Sequence, residues 1–305
     1  MQPFKLHILG CGSALPTTRH CPSMQVVECR GKMYMIDCGE GAQLQLRKAS
    51  LPFEKIGHIF ISHLHGDHCF GLIGIISTFG LLGRRSALHV YAPKELEPML
   101  QAQLDLFFNH DIGYDVLFHP VDTTLQQVIF EDHSLTVETI PLCHRMPCAG
   151  YLFREKQSLP HIRRDMIDFY GIPVSQINNI KSGQGYTLPD GTLIPHEQLV
   201  TPADAPRSYA YCSDTRYMPT LHEAVSGVSS LYHEATYADD KLASAEAYCH
   251  STARQAATVA RQAGVGKLLL GHYSARYTDE QILLNEAKEE FENTFLTNEM
   301  DIFDI

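Results

Sequence analysis

Residues 58–71 read HIFISHLHGDHCFG. An apolar β-strand, predicted at Ile59–Ser62, runs straight into a loop of metal-binding side chains. Those side chains are His63, His65, Asp67 and His68. Neutral imidazoles and a carboxylate are ligands that suit Zn²⁺, so two such pairs in one loop predict two adjacent metal ions. The alternative is a histidine-rich loop without a function.

Three further candidate ligands each follow a predicted apolar strand. They are His144 after LTVETIPLC, Asp214 after SYAYCS and His272 after GKLLLG. Because the carboxyl ends of strands in an α/β sandwich meet at one edge, where sites form, these residues are expected to converge. Asp214 is a plausible bridge between two ions, since a carboxylate has two oxygens. Taken singly, each of the three would be an ordinary surface or core residue.

The rest of the chain alternates short apolar strands with helical patterns, which indicates a layered α/β fold. The predicted strands are Lys5–Leu9, Met33–Ile36, Ile59–Ser62, Leu88–Tyr91, Leu135–Ile140, Ser208–Cys212, Ser230–Tyr232 and Lys267–Leu270. The predicted helices cover 94–108, 252–264 and 279–292. Ser251 or Thr252 can cap the start of the second helix, and Gly264 suits its end.

Composition excludes several classes of protein. The nine cysteines include no CxxC pair, which argues against a disulfide framework and a thiolate zinc site. A formal charge of −11 disfavours a broadly basic nucleic-acid binder but leaves room for a local basic patch. The N-terminus reads as a first strand and no segment is long and apolar enough to span a membrane, so we expect a cytoplasmic protein.

Several motifs along nearly the whole chain resemble the metallo-β-lactamase superfamily and, within it, the ribonuclease Z family. They are LGCGSALPT (9–17), YMIDCGEGAQLQL (34–46), ISHLHGDHCFGLIGII (61–76), PLCHRMPCAGYLF (141–153), YCSDT (211–215), HEATY (233–237), HSTA (250–253) and GHYSARY (271–277). The HxHxDH loop is the superfamily's signature, and the last three motifs together are typical of ribonuclease Z. One departure is TTRHCPS (17–23), which stands where the family has an Arg-Asn pair.

The resemblance implies a four-layer αββα sandwich in a single domain, 1–305, with a protruding arm. It implies two Zn²⁺ per subunit, although N/O sites also accept Mn²⁺ or Fe²⁺. One ion would be held by His63, His65 and His144, and the other by Asp67, His68 and His272, with Asp214 as the bridge. Asp37 and Glu40 of DCGEG (37–41) are expected to brace the metal loop from behind rather than bind metal.

The resemblance also implies the reaction: a zinc-dependent endoribonuclease removes the 3′ trailer from a tRNA precursor and leaves a 3′-hydroxyl. Asp67 would accept a proton, His250 would donate one to the leaving group, and Glu234 would orient His250. The alternative for His250 is an exposed residue before a helix. The alternative function, which the acidic charge motivates, is a small-molecule phosphodiesterase or another hydrolase on the same dinuclear fold.

Contacts with precursor tRNA are expected at two places. Arg276 could bind a phosphate or the terminal nucleotide, or it could form a surface salt bridge. The Gly- and Pro-rich segment 155–205 corresponds in position to the family's tRNA-binding arm, and it carries Arg163, Arg164 and Lys181. The apolar stretch 71–85 corresponds to the region that joins two subunits, so we expect a homodimer. The alternative is a helix buried within one subunit.

Overall fold

The computed structural model describes residues 2–109 and 111–305. Contacts divide these residues into two compact units. The inserted unit is Glu155–Pro206, and the main unit joins Gln2–Arg154 to Arg207–Ile305. The inserted unit coincides, within one residue, with the segment 155–205 that composition marks off from the rest of the sequence.

The strands alternate with helices along the main unit. The strands are β1 (Phe4–Gly10), β2 (Met24–Cys29), β3 (Lys32–Ile36), β4 (Ile56–Phe60), β5 (Leu88–Pro93), β6 (Val116–Val121), β7 (Val128–Glu131), β8 (Leu135–Leu142), β9 (Cys148–Glu155), β10 (His161–Ile162), β11 (Tyr186–Thr187), β12 (Leu193–Ile194), β13 (Val200–Thr201), β14 (Ser208–Cys212), β15 (Ser230–Glu234), β16 (Leu268–Gly271), β17 (Thr294–Leu296) and β18 (Ile302–Asp304). The four short strands β10–β13 belong to the inserted unit.

The helices range from one turn to more than three turns. They are α1 (Ala42–Lys48), α2 (Gly66–Cys69), α3 (Leu72–Leu81), α4 (Leu96–Phe108), α5 (Arg164–Tyr170), α6 (Val174–Lys181), α7 (His196–Leu199), α8 (Leu221–Ala224), α9 (Leu242–Tyr248), α10 (Ala253–Ala263) and α11 (Gln281–Glu290). In the part of the chain that the structure describes, no helix has both the length and the apolar character that a bilayer span requires.

Two seven-stranded mixed sheets form the main unit. Their strand orders are β18-β1-β2-β3-β4-β5-β6 and β17-β16-β15-β14-β9-β8-β7. A shared core, with Phe60 from the first sheet and Tyr151 and Phe153 from the second, lies between them. A second core joins the other face of the first sheet to α1, α3 and α4, and α10 packs against β15 and β16. These layers confirm the predicted α/β sandwich.

The strand ends carry the candidate ligands as the sequence predicts. Strand β4 ends at Phe60, two residues earlier than the predicted Ser62, because the Ser62 N–H donates to the Asp37 side chain and not to a neighbouring strand. His144 lies two residues past β8, Asp214 two past β14, and His272 directly after β16. Parallel pairing of β14, β15 and β16 places the ends of these three strands side by side.

The inserted unit has more structure than its composition suggested. It contains two small antiparallel sheets, β10 with β13 and β11 with β12, together with the helices α5, α6 and α7. Its core is small and aliphatic, and consists of Ile172, Ile180, Ile194 and Leu199. Such short elements leave only a weak hydrophobic period in the sequence.

Helix α10 begins at a capping box that fixes the backbone just after His250. The Thr252 hydroxyl accepts a hydrogen bond from the Gln255 backbone N–H, and the Gln255 side chain accepts one from the Thr252 N–H. Thr252 also donates to Asp239 Oδ1 at 2.8 Å. Gly264 ends the helix in the left-handed conformation, at a φ of 62°.

We predict that Thr252→Ala lowers the free energy of unfolding by about 1 kcal/mol, because it removes the cap from the first turn. Thr252→Ser keeps the hydroxyl and is the matched control, with a loss of less than about half that value. Denaturant unfolding of both variants measures the difference. Equal stability of the Ala and Ser variants would contradict the capping role.

Candidate metal centre

Two groups of buried metal-binding atoms meet at the strand ends. The first contains His63, His65, His144 and Asp214, and the second contains Asp67, His68 and His272. Within each group the ligand atoms all lie within 4.8 Å of one another. The structure therefore brings together all seven side chains that the sequence analysis names as metal ligands.

The loop after β4 supplies both groups. His63 and His65 precede the single turn of α2, and Asp67 and His68 lie within it. His65 Nδ1 lies 3.0 Å from His63 Nε2. It also lies 3.3 Å from His144 Nε2, so three imidazole nitrogens face a common point.

Asp214 stands between the two groups with one oxygen toward each. Its Oδ2 lies 3.6 Å from His63 Nε2 and 3.8 Å from His144 Nε2. Its Oδ1 lies 3.2 Å from His272 Nε2 and 3.5 Å from His68 Nε2. This is the arrangement that a carboxylate shared by two ions requires.

Asp37, at the end of β3, fixes the metal loop by hydrogen bonds on the side away from the cavity. The carboxylate is fully buried and accepts hydrogen bonds from the Ser62 N–H at 2.7 Å and the Ser62 hydroxyl at 2.9 Å. It also accepts from His68 Nδ1 at 2.7 Å and the Tyr211 hydroxyl at 2.6 Å. With Nδ1 held in this way, Nε2 of His68 points into the site. Glu40, by contrast, is exposed.

Glu234 has the same role on the second sheet. Its Oε1 accepts from His250 Nδ1 at 2.9 Å and from the Ser251 N–H at 2.9 Å. Its Oε2 accepts from the Thr236 hydroxyl at 2.7 Å, and that hydroxyl lies 2.8 Å from His272 Nδ1. One buried carboxylate thus orients His250 directly and His272 through Thr236.

The backbone near these residues adopts uncommon conformations. Asp37, Cys249 and His272 have φ values of 55°, 58° and 61°, in the left-handed region that non-glycine residues rarely occupy. The Cys249 carbonyl uses this geometry to accept a hydrogen bond from His144 Nδ1 at 2.9 Å. Such conformations cost free energy and persist where the surrounding structure requires them.

Charges within the site are strongly coupled. Burial and the neighbouring His68 hold the pKa of His63 well below its usual range. Burial opposes charge on His68 as well, but the carboxylates of Asp214 and Asp67 raise its pKa. Burial likewise opposes a charge on His250, yet Glu234 raises the pKa of His250 above its usual value. His250 is therefore cationic at neutral pH in the chain without metal.

The chemistry of these side chains fits divalent metal ions. His68 Nε2 and Asp214 Oδ1 are buried and have no hydrogen-bond partner among the described residues. An unsatisfied buried polar atom costs about 1–3 kcal/mol, and a coordinated cation would remove that cost. Imidazole and carboxylate ligands suit Zn²⁺, Mn²⁺ or Fe²⁺. The His/Asp groups thus constitute a metal site.

A cavity of about 440 Å³ opens directly onto these residues. Its walls include Asp67, His144, Asp214, His250 and His272, together with Arg145, Tyr237, Tyr248 and Arg276. The predicted contact residue Arg276 is exposed at the wall of this cavity. Arg163, Arg164 and Lys181 lie in the inserted unit, where Arg163 pairs with Asp165 at 2.7 Å.

The opening loop, where the chain departs from the usual Arg-Asn pair, is tied down by ionic contacts. Arg19 pairs with Glu280 at 2.7 Å and also donates to the carbonyls of Thr278 and Tyr277. His20 lies 3.0 Å from Glu299. The loop is thereby attached to residues that follow His272 in the sequence.

Curated relatives match the chain from end to end. A "Ribonuclease Z" of Bacteroides fragilis is 57% identical over 299 residues, which is 98% of both chains. A "Ribonuclease Z" of Porphyromonas gingivalis is 51% identical, again over 98% of both chains. The chain belongs to the ribonuclease Z family.

The fold agrees with solved structures and with a broader family model. Human tRNase Z, short form, superposes with a TM-score of 0.72 at 23% identity over 99% of both chains. A metallo-β-lactamase fold protein of Bacillus subtilis, YhfI, gives a TM-score of 0.71 at 17% identity over the full length of both. A family model described as anti-Pycsar protein Apyc1 matches residues 4–155. The predicted metallo-β-lactamase fold is confirmed.

Sequence reasoning missed several residues of the site. Ser62, Thr236 and Tyr211 hold other site residues through their hydroxyl groups, and Arg145 and Tyr248 line the cavity. Their only signal is position, since each lies within two residues of a named site residue or at the end of a strand that leads to one. Hydroxyl groups and tyrosines are too common for that signal to stand out.

We predict that Asp37→Ala lowers metal affinity about 10- to 100-fold, because His68 loses the acceptor that sets its orientation. The exposed neighbour Glu40 provides the control variant Glu40→Ala. Competition with a chromophoric chelator measures both affinities. Unchanged affinity in Asp37→Ala, or an equal loss in Glu40→Ala, would contradict the orienting role.

Proposed function

We propose that this protein is a metal-dependent endoribonuclease that removes the 3′ trailer from tRNA precursors. It would leave a 3′-hydroxyl on the tRNA and a 5′-phosphate on the trailer. The observation that carries the proposal is the pair of ligand groups joined by Asp214, in a chain that belongs to the ribonuclease Z family. The acidic net charge, which motivated a small-molecule hydrolase, does not outweigh a match over 98% of the chain.

We assign His63, His65 and His144 to one Zn²⁺, and Asp67, His68 and His272 to the other, with Asp214 shared between them. The facing nitrogens of the first group and the two orientations of the Asp214 oxygens support this division. Two ions held by these residues would supply positive charge that stabilises both the attacking and the leaving oxygens of an in-line displacement.

Asp67 is the proposed proton acceptor for the attacking water. Burial opposes its ionisation, but the neighbouring His68 and His272 lower its pKa, which favours the carboxylate form. Its Oδ2 lies 3.4 Å from His272 Nε2. An ionised oxygen at this position can bind metal and direct a water toward the scissile phosphorus.

His250 is the proposed general acid. Glu234 holds its Nδ1, which leaves Nε2 free to donate a proton to the departing ribose 3′ oxygen. The N-cap of α10, Thr252, lies two residues beyond His250, and the start of the helix disfavours a positive charge there. The buried carboxylate of Glu234 opposes that effect and raises the pKa of His250. The same carboxylate fixes the orientation of the ring.

Substrate binding is assigned to two sets of cations. Arg276 would bind a phosphate or the terminal nucleotide beside the cavity, where its planar fork of donors matches a phosphate group. Arg163, Arg164 and Lys181 would contact phosphates of the tRNA body through the inserted unit. The cytoplasmic location that the sequence indicates stays a prediction.

A homodimer is proposed through the α3 region. Leu72, Ile75, Ile76 and Phe79 of α3 are buried within the main unit, so most of its apolar face is already covered. At the end of α3, Leu81 and Leu82 remain 86% and 53% exposed, and Phe70, before the start of α3, is 61% exposed. We propose that the apolar patch of Leu81 and Leu82 contacts a second copy of the chain.

We predict that His250→Ala lowers the cleavage rate of a normal precursor by about 10²- to 10⁴-fold, the usual contribution of a general acid. A precursor with sulfur in place of the bridging 3′ oxygen needs no proton donor, because a thiolate leaves unaided. On that substrate the variant should lose less than about 10-fold relative to the wild type. Single-turnover cleavage of both substrates is the measurement, and an equal loss on both would exclude His250 as the acid.

The cations of the inserted unit should affect cleavage of precursor tRNA and not hydrolysis of a small phosphodiester. Replacement of Arg163, Arg164 and Lys181 by alanine is expected to lower kcat/KM for precursor tRNA about 10-fold or more relative to kcat/KM for bis(p-nitrophenyl) phosphate. It should also reduce the salt dependence of kcat/KM, since fewer phosphate contacts form. Arg261→Ala with Lys288→Ala, exposed cations of the main unit, is the control. An unchanged ratio in the triple variant would refute the assignment.

Dimerisation can be tested with charges placed on the patch. Leu81→Glu with Leu82→Glu is expected to convert a dimer into a monomer of 34.2 kDa, because two carboxylates would have to be desolvated at the interface. Light scattering coupled to size exclusion measures the mass. Leu125→Glu, at a side chain 52% exposed elsewhere, is the control. A monomeric wild type would contradict the proposal.

A further inference from the structure

Arg145 and Tyr248 form a stacked pair at the wall of the cavity. The guanidinium carbon of Arg145 lies 4.7 Å from the centre of the Tyr248 ring. Arg145 Nη2 also donates to the Ala247 carbonyl at 3.0 Å, which holds the guanidinium in place. Tyr248 is 44% exposed, so much of its ring is open to solvent.

The backbone links this pair to the two sides of the site. Arg145 directly follows His144, and Tyr248 lies two residues before His250. Between them, the Cys249 carbonyl accepts the hydrogen bond from His144 Nδ1. The pair therefore has a fixed position relative to the proposed general acid, with no long flexible segment in between.

The chemistry of the pair matches an unpaired nucleobase. Single-stranded RNA is held by aromatic rings and guanidinium planes on which bases stack, and an adjacent positive charge favours the phosphodiester backbone. An isolated surface cation–π pair contributes only about 0.5–1 kcal/mol to stability. Arg145 and Tyr248 also line the cavity that contains Asp214 and His250, so they lie where a bound substrate would contact them.

We propose that Arg145 and Tyr248 form a stacking platform for the base of the last nucleotide that remains on the tRNA. This inference rests on the proposed function. His250 donates to the 3′ oxygen of that nucleotide, so the ribose lies at His250 and the attached base lies beside Tyr248. The platform holds the leaving group in line for proton transfer, and it accepts any base, because stacking needs only a π face.

The test compares precursors that carry either a base or an abasic ribose at the retained nucleotide. Base stacking contributes about 1–3 kcal/mol, so kcat/KM of the wild type should be about 5- to 150-fold higher for the complete precursor. In Tyr248→Ala this preference should fall below about 2-fold, whereas Tyr248→Phe should keep it. Arg145→Ala should reduce it as well. Phe295→Ala removes a ring with the same 44% exposure that does not line the cavity, and should keep the full preference.

Two results would overturn the platform. One is a full preference retained in Tyr248→Ala. The other concerns precursors in which the abasic ribose is the first trailer nucleotide. If Tyr248→Ala abolished the preference only for these precursors, the stacked base would lie on the trailer side of the cut. If the wild type did not cleave the complete precursor at all, the proposed function would fail, and the platform with it.

Discussion

Seven ionisable side chains can share one small buried space only if their charges and lone pairs are compensated. Burial of an uncompensated charge or polar atom is among the most costly features a fold can contain. Two kinds of group offset this cost. Carboxylates behind the ligands accept the outward-facing imidazole N–H groups, and metal ions in front would take up the inward-facing lone pairs left without partners at His68 and Asp214.

The two sheets solve this problem in the same way. In the first sheet, the Asp37 carboxylate holds the metal loop by hydrogen bonds from Ser62 and His68. In the second sheet, the Glu234 carboxylate holds His250 directly and His272 through the Thr236 hydroxyl. Each carboxylate is fully buried at the end of its strand. The side chains that it hydrogen-bonds are therefore fixed relative to the sheet. Catalysis by positioned groups depends on such rigidity, because small displacements of reacting atoms are costly.

Much of this arrangement could be predicted from the sequence. The HxHxDH loop and three polar residues after strands are local patterns, and shared strand ends are enough to infer their convergence. The hydroxyl groups of Ser62, Thr236 and Tyr211 could not be found in this way, because their partners lie far away in the chain. Tyr211, for example, reaches Asp37 across 174 positions of sequence. The short elements of the inserted unit were also missed, since two-residue strands leave no periodic signal.

If the residues around Asp214 hold two metal ions, the protein should cut a tRNA precursor at a single place. The most direct measurement incubates the purified, zinc-loaded protein with a precursor that carries a short 3′ trailer, with and without a chelator, and maps the product ends. One cut directly after the last nucleotide retained on the tRNA, leaving a 3′-hydroxyl, lost with the chelator and restored by Zn²⁺, is the predicted result. Cleavage that survives the chelator, or no cleavage while a small phosphodiester is still hydrolysed, would contradict the account.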